Sequence, residues 1–314
     1  MDYKRNKVFY DIAYFFESCF YNVFFKTLFC KRAKYNKQYR VSICGIFKNE
    51  SRFLKEWIEY HLVIGVDHFY MYNNNSEDDY MEVLQPYIDA GKVTLVQWTK
   101  DHAQMEAYQD CLARCKNETQ WLGWLDIDEF FVPRYETNIN DWIRKYDRYP
   151  SVEVFWKMFG TGGKMKHDYS KLVIEQYVNS HQGFPTHRGK CFFNTDYDVA
   201  YWKETTHHYT CVRVPFFGFH LRVVPVDVYK HFDIGWNPIE KLRNPDKIPA
   251  QINHYWSKAW DVFDEKRKRT DVYYEKNPKK EWSYFFNNEF LNISSDYSIF
   301  RFIMKLKLRM RGEL

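Results

Sequence analysis

The chain has 314 residues and a formal net charge of +5, with 45% hydrophobic, 28% charged and 20% aromatic residues. This composition is typical of a globular protein long enough to bury a full core, and it excludes the disordered and collagen-like classes. No uncharged apolar run reaches about 18 residues, so the sequence predicts no transmembrane helix. Seven cysteines without a CxxC pair predict neither a zinc ribbon nor a disulfide framework, and a reducing compartment is expected.

The net charge is unevenly distributed along the chain. Residues 1–40 carry nine Lys and Arg against three acids, and residues 299–314 carry five against one, which leaves residues 41–298 with a balance of −5. A nucleic-acid-binding protein needs a basic face at its functional site, so no nucleic-acid partner is expected. The distribution predicts three parts: a basic aromatic helical segment over 1–40, a central domain over 41–298 and a basic amphipathic tail over 299–314.

Both ends combine apolar and cationic residues at helical spacing. The N-terminal stripe consists of Phe15, Phe16, Cys19, Phe20, Val23, Phe24, Leu28 and Phe29. One interpretation is that both ends are peripheral helices packed on the core. The other is that they hold a cytoplasmic protein on the inner face of an anionic membrane.

Strand-like and helix-like segments alternate between residues 41 and 127. Apolar runs predict strands over 41–47, 68–72, 93–98 and 121–127, and periodic apolar residues predict helices over 51–64, 79–90 and 103–116. This alternation predicts an α/β fold with an open, mostly parallel sheet and helices on both faces. The later pattern predicts an antiparallel or edge strand over 151–160, short strands within 170–235 and a helix over 256–270.

Polar residues follow each of the first four predicted strands, at the edge where ligands bind in open α/β sheets. The sequence Asp126-Ile127-Asp128 follows the fourth strand, and alternate residues of a strand share a face, so the two carboxylates are expected at one place. Mg²⁺ or Mn²⁺ prefers such carboxylates together with phosphate oxygens. The glycine run 160–163 lacks the spacing of a phosphate-binding loop and is expected to be a mobile loop beside the site.

Five motifs, in order, resemble glycosyltransferase family 92 and its bacterial family 2-like relatives. They are CGIFKNESRFLKEWIEYHLVIGVDHFYMYNNNSEDD, QMEAYQDCLARC, WLGWLDIDEFF, FWKMFGTGG and NHYWSKAWDVFDEKRKR. The resemblance covers roughly residues 41 to 270. It implies a GT-A fold, a nucleotide-sugar donor, a divalent metal and inversion at the anomeric carbon. The expected acceptor is a saccharide, and the basic ends of the chain would suit a lipid-linked saccharide acceptor.

The resemblance also implies roles for individual residues. Asp126 and Asp128 would bridge the metal to the donor, with His254 as a further metal ligand and His208 as its rival. The nucleotide pocket would be lined by Lys48, Glu50, Asn73, Asn75 and Gln104, with Lys190 on the diphosphate. The alternative for the asparagines is a turn role, and for Lys190 a plain surface position. Trp156 and Phe159 are candidates for stacking on an acceptor sugar, although core packing is the simpler use.

The predicted reaction is metal-assisted glycosyl transfer from a nucleotide sugar to a saccharide hydroxyl. The metal would neutralise the departing diphosphate, and an acidic residue would remove the proton of the acceptor. The candidates for that base are Glu153, Asp196, Asp198, Glu204 and Asp233. The alternatives are a nucleotidyltransferase acting on sugar phosphates, which should show a glycine-rich loop after the first strand, and a non-catalytic membrane-surface adaptor.

Overall fold

The structure, a computed structural model, describes residues 12, 15, 16, 19, 20, 23, 26–28, 32–184, 189–200, 207–233, 247–268 and 280–314. Its strands are β1 Tyr39–Phe47, β2 His68–Asn73, β3 Val93–Gln97, β4 Thr119–Trp124, β5 Glu129–Pro133, β6 Ser151–Met158, β7 Asn179–Ser180, β8 Gly189–Asn194, β9 Asp198–Val199, β10 Val212–Phe216, β11 Phe219–Val223, β12 Val226–Asp227, β13 Ala250–His254 and β14 Ser294–Ser295. Beyond a helical turn at Lys26–Leu28, its α-helices are α1 Ser51–Val63, α2 Tyr80–Asp89, α3 Gln104–Cys115, α4 Ile139–Ile143, α5 Val173–Gln176, α6 Trp260–Lys268, α7 Trp282–Glu289 and α8 Ile303–Met310, and 3-10 helices span Arg144–Tyr146 and Ser298–Phe302.

One large sheet organises the described residues, with the strand order β3-β2-β1-β4-β8-β6-β13-β5 and β12 beside β6. The strands β3, β2, β1 and β4 run parallel to one another. Strand β8 is antiparallel to both β4 and β6, whereas β13 is parallel to β6. A parallel half is therefore joined to a mixed half in a single sheet, and the predicted α/β fold is confirmed.

Side chains of β1 show that both faces of the sheet are covered. Val41, Ile43 and Phe47 join a core that includes residues of α1, whereas Cys44 and Ile46 join a second core with residues of α3. Successive residues of a strand point to opposite faces, so a strand buried on both faces becomes apolar throughout. This explains why the apolar runs of the first half predicted their strands correctly.

Strand β6 corrects part of the prediction for residues 151–160. Its antiparallel partner β8 is present, but β6 lies inside the sheet between β8 and β13, not at an edge. All eight of its residues are buried, because helices and loops cover both faces. Polar and apolar residues alternate along β6, with Glu153 and Lys157 between apolar positions. This alternation therefore does not separate a solvent-exposed face from a buried one.

The topology brings distant parts of the chain to one edge of the sheet. Asp126 and Asp128 follow the carboxyl end of β4. His254 is the last residue of β13, which runs in the same direction. Because β8 is antiparallel, its beginning lies at that edge, which places Lys190 opposite Asp126. The edge predicted to bind a ligand thus gains residues from the second half of the chain.

The two ends of the chain differ. The tail packs on the core, because Ile299, Phe302 and Leu306 are buried and Arg309 forms an ion pair with Glu59 of α1. This favours the packing alternative for residues 299–314. Most of residues 1–31 lie outside the described residues, including Phe24 and Phe29, but the described Phe15, Phe16 and Phe20 are exposed. Among the described residues, no helix is both long and apolar enough to cross a bilayer.

Candidate functional site: an acidic pair among buried cations

Asp126 and Asp128 lie in the short turn between β4 and β5. The turn is tied down by the Glu129 amide, which donates to the Asp126 carbonyl at 3.0 Å, and by the Tyr255 amide, which donates to the Asp128 carbonyl at 2.8 Å. Strand β4 ends at Trp124, so both carboxylates lie beyond the strand. The alternation of faces along a strand therefore does not fix their directions. They influence each other electrostatically, but each has its own cationic partner.

Asp126 belongs to a charge cluster with the buried side chains of Lys190 and Glu129. The Lys190 ammonium, which is fully buried, lies 3.0 Å from Asp126 Oδ2 and 3.6 Å from Glu129 Oε2. Burial alone would raise the pKa of Asp126, but the Lys190 charge outweighs it and keeps that pKa below its ordinary value. Burial raises the pKa of Glu129 well above its ordinary value, against the pull of Lys190. Lys190 therefore favours the ionised form of Asp126, whereas burial favours the protonated form of Glu129.

Asp128 is surrounded by three cationic or basic side chains. Lys266 of α6 reaches Asp128 Oδ2 at 2.5 Å, and His254 Nε2 lies 3.4 Å from Oδ1. Burial opposes ionisation here too, but Lys266 and His254 hold the pKa of Asp128 well below its ordinary value, with a smaller contribution from Lys258. The surrounding charges therefore favour the ionised form of Asp128.

Lys258 is a buried cation next to this pair. Its side chain is 2% exposed, and its ammonium lies 4.4 Å from the centroid of the Phe53 ring. Burial lowers its pKa, and the nearby charges of Asp128 and Glu50 oppose that effect. Its backbone has a φ of 54°, a conformation that costs free energy for a residue other than glycine and that is often found at functional sites.

The two rival histidines lie on either side of Trp156. The ring centroid of Trp156 is 4.7 Å from that of His254 and 5.0 Å from that of His208. His208 Nδ1 is 2.8 Å from the Gly189 carbonyl, and burial next to Lys190 lowers the pKa of His208 to about 3. His208 is therefore a neutral ring that holds the beginning of β8, whereas His254 faces Asp128.

The predicted nucleotide-pocket residues have structural partners. Asn73 donates to Gln97 and accepts from the Ser76 amide, and Asn75 donates to the Thr99 carbonyl. These bonds are the turn role that was the alternative for both asparagines. Asn73 ends β2 and Asn75 follows it, so both still lie at the predicted edge.

Three further predicted residues lie at this edge of the sheet. Gln104 donates to Asp126 Oδ1 at 3.2 Å, together with Tyr108, so it positions that carboxylate. Glu50 precedes α1 and acts electrostatically on Lys258. Lys48 follows β1 at the same edge.

Two candidates for the catalytic base lie at the wrong end of the sheet. Asp196 pairs with Lys37 and Asp198 with Lys116, beyond the end of β8 that lies beside the beginning of β4. Glu153 is buried in the middle of β6, Asp233 is buried too, and Glu204 lies outside the described residues. Trp156 and Phe159 are buried, Phe159 against Tyr255, which supports core packing for both.

The acidic pair fits a hard divalent cation in its chemistry. Two carboxylates kept ionised and an imidazole nitrogen facing one of them form the oxygen and nitrogen donor set that Mn²⁺ accepts. Within the part of the chain that the structure describes, no three His, Cys, Asp or Glu side chains are gathered closely enough to hold a metal by themselves. Asp126, the third predicted ligand, is directed at Lys190. Asp128 and His254 would therefore supply the protein ligands, and the remaining positions would be filled by diphosphate oxygens and water.

Sequence analysis assigned no role to Lys258 and Lys266, although both lie in the motif that begins at Asn253. Lys258 follows His254 by four residues, and Lys266 lies two helical turns further on. A charged residue at such spacing usually belongs to a solvated face. Only the tertiary structure, which brings α6 and the residues just before it to the β4–β5 turn, shows that both charges act on Asp128.

Comparison with known proteins identifies the family. The model of glycosyltransferase family 92 matches residues 37–290, so the chain belongs to that family. A family 92 protein of Ricinus communis is 30% identical over 235 residues, which are 73% of this chain and 38% of that protein. One of Oryza sativa is 28% identical over 74% of this chain and 37% of that protein. The chain thus spans less than two fifths of the length of these curated relatives.

Three further likenesses concern individually named proteins. The Caenorhabditis elegans beta-1,4-galactosyltransferase galt-1 is 33% identical over 109 residues, which are 30% of this chain and 26% of that protein. Among solved structures, Staphylococcus aureus TarS matches with a TM-score of 0.35 and 11% identity, over 50% of this chain and 47% of that one. A Pyrobaculum calidifontis mannosyltransferase in complex with GDP-Man and Mn²⁺ matches with a TM-score of 0.32 and 12% identity, over 47% of this chain and 45% of that one.

Proposed function

We propose that this chain transfers a sugar from a nucleotide-sugar donor to a saccharide hydroxyl, with inversion at the anomeric carbon. The observation that carries the proposal is the ionised pair Asp126 and Asp128, set among buried cations at the carboxyl edge of the sheet. That edge is where open α/β sheets bind nucleotides. Membership of family 92 supports the same chemistry.

Some side chains of this site would hold the donor, and others would compensate the negative charge of its diphosphate. Asp128 and His254 would hold a divalent cation, which supplies Lewis-acid stabilisation of the leaving diphosphate. Lys258 and Lys266 lie close enough to Asp128 to be drawn to the diphosphate by its charge once the donor binds. Lys190, Gln104 and Tyr108 fix the direction of the Asp126 carboxylate. Fixed charges at a site shielded from water stabilise a developing anion without reorganising during the reaction.

Galactose is the first donor sugar to test. Relatives of this chain include enzymes named as beta-1,4-galactosyltransferases from Caenorhabditis elegans and Arabidopsis thaliana. Common galactosyl nucleotides carry an α-linkage, so a β-linked product requires inversion. Inversion in turn requires a base on the acceptor side, which removes the acceptor proton as the bond to the donor forms.

The decisive assay measures the nucleotide that is released. Purified full chain is incubated with a panel of sugar nucleotides, with and without Mn²⁺, and with a small saccharide acceptor. We expect free nucleoside diphosphate, with galactosyl donors first, and release slowed by about 10²–10³ in Asp128→Asn. The matched control is Asp198→Asn, which removes an aspartate paired with Lys116 at the opposite end of the sheet. Release of pyrophosphate would instead indicate the nucleotidyltransferase, and no turnover with any donor would favour the adaptor.

A further inference from the structure

Two acids beside the loop that follows β6 are engaged in holding that loop. Glu289 of α7 accepts from the amide and the hydroxyl of Thr161, at 3.0 and 2.8 Å. Asp261 of α6 accepts from the His167 amide with both of its carboxylate oxygens. Both acids thus already serve the fold. Histidine is the side chain that most often acts as a general base, and His181 lies at the same edge of the sheet.

His181 shares a face of the sheet with His254, on the other side of β6. Phe159 forms an antiparallel bridge with Ser180. The adjoining residues, Met158 and His181, therefore lie opposite each other, and the His181 amide donates to the Met158 carbonyl at 3.0 Å. Met158 is also paired with His254 of β13. Opposed residues of neighbouring strands point to the same face, so the two histidines project together with Met158 between them.

The distance between the two histidines leaves room for a sugar. Neighbouring strands lie about 4.8 Å apart, which puts the backbones of His181 and His254 roughly 10 Å from each other. The two rings are still close enough for His254 to act electrostatically on His181. Because His254 faces Asp128, where the diphosphate would lie, His181 is placed on the side from which an acceptor would approach.

One hydrogen bond fixes which ring nitrogen of His181 carries the proton. Nε2 lies 3.1 Å from the carbonyl oxygen of Asn288 in α7. A carbonyl oxygen can only accept, so Nε2 carries the hydrogen and Nδ1 of the neutral ring keeps its lone pair. Among the described residues, no group forms a hydrogen bond to Nδ1. The ring therefore presents a basic nitrogen whose identity is set by the backbone of α7.

The position and the charge state of His181 are also set before any substrate binds. Its carbonyl accepts from the Lys157 ammonium at 2.6 Å and from the Ser294 hydroxyl at 3.1 Å. Burial, with Lys157 and His254 nearby, holds the pKa of the imidazole below its ordinary value of 6.5, so the neutral ring predominates at pH 7. A base that is already oriented loses little freedom when the reaction begins.

We propose that His181 is the catalytic base of the transfer, and that its Nδ1 takes the proton of the acceptor hydroxyl as the hydroxyl oxygen bonds to the anomeric carbon. The bond from that carbon to the diphosphate oxygen breaks in the same step, and the diphosphate leaves with the bonding electron pair. The imidazolium then releases its proton to water, which restores the neutral ring. This inference rests on the proposed glycosyl transfer, and it puts a histidine in the role that the sequence assigned to an acid.

The test compares nucleoside diphosphate release by the full chain and by His181→Gln, with the same panel of sugar nucleotides and the small saccharide acceptor. Glutamine can still donate to the Asn288 carbonyl but has no basic nitrogen, so kcat should fall by about 10²–10⁴ with the KM of the donor unchanged. Wild-type kcat should fall as the pH drops through the pKa of His181, and the variant should lack this limb. The matched control is His68→Gln, at the opposite edge of the sheet, which changes a histidine that is 4% exposed and bonded to the Gly91 carbonyl and should leave kcat and the limb unchanged.

Nuclear magnetic resonance provides a measurement that does not depend on turnover. The imidazole ¹⁵N signals of His181, assigned by their loss in His181→Gln, should show a protonated Nε2 and an unprotonated Nδ1 at pH 7. The opposite tautomer, or a His181→Gln protein whose kcat stays within about tenfold of an active wild type, overturns the base and leaves the proposed function intact. A wild-type chain that turns over no donor refutes the proposed function, and the base with it.

Discussion

Replacing Lys190 by methionine tests whether this buried lysine serves the fold or contacts the donor. Its ammonium is fully buried and lies 3.0 Å from Asp126 and 3.6 Å from Glu129. Methionine keeps most of the length but leaves Asp126 without its cation, and removing one partner of a buried ion pair costs about 3–5 kcal/mol. The Asp126 side chain is 34% exposed, so water recovers part of this cost. We expect the free energy of unfolding to fall by about 2–3 kcal/mol.

Urea denaturation of a double-mutant cycle measures this coupling. Once Asp126→Asn has removed the anion, Lys190→Met should cost less, and the coupling free energy should be about 1–3 kcal/mol. Lys116→Met is the control, because its partner Asp198 is 66% exposed and such pairs contribute about 0–1 kcal/mol. A Lys190→Met protein within about 0.5 kcal/mol of wild type would refute the structural role and leave the diphosphate contact as the explanation.

Three further predictions concern Asp128, the two histidines beside Trp156 and the buried Glu56. Asp128→Asn should lower turnover by about 10²–10³ with an unchanged circular dichroism spectrum, and near wild-type turnover at saturating donor would contradict the metal site. His254→Ala should raise the Mn²⁺ concentration needed for half-maximal activity, whereas His208→Ala should not, and the opposite result would exchange their roles. Burial raises the pKa of Glu56 from 4.5 to about 7, although two backbone amides donate to it. The protonated form is thus favoured in the fold, so this contribution to stability is complete below pH 4.5 and is lost as the pH rises through about 7, by about 3 kcal/mol in all. Denaturation across that range should show a flatter profile for Glu56→Gln, and identical profiles would refute the assignment.

The sequence by itself determined the first half of the fold. Strands buried on both faces must be apolar throughout, and helices that cover them must be apolar on one face, so periodicity located β1 to β4 and the helices between them. It also placed Asp126 and Asp128 at a ligand-binding edge, because the carboxyl ends of parallel strands coincide. These are local patterns with a single physical interpretation.

Tertiary structure decided what surrounds those carboxylates. Lys190 neutralises Asp126 because β8 runs antiparallel to β4, and strand direction is set by a chain reversal that no local pattern records. The same holds for Lys266, which reaches Asp128 from a helix packed far along the chain. The alternating polar residues of β6 suited an antiparallel or edge strand, and the antiparallel alternative is confirmed. Lys157, however, is buried where its ammonium donates to the His181 carbonyl. A polar side chain satisfied within the protein looks the same in sequence as one satisfied by water, and only the packing distinguishes them.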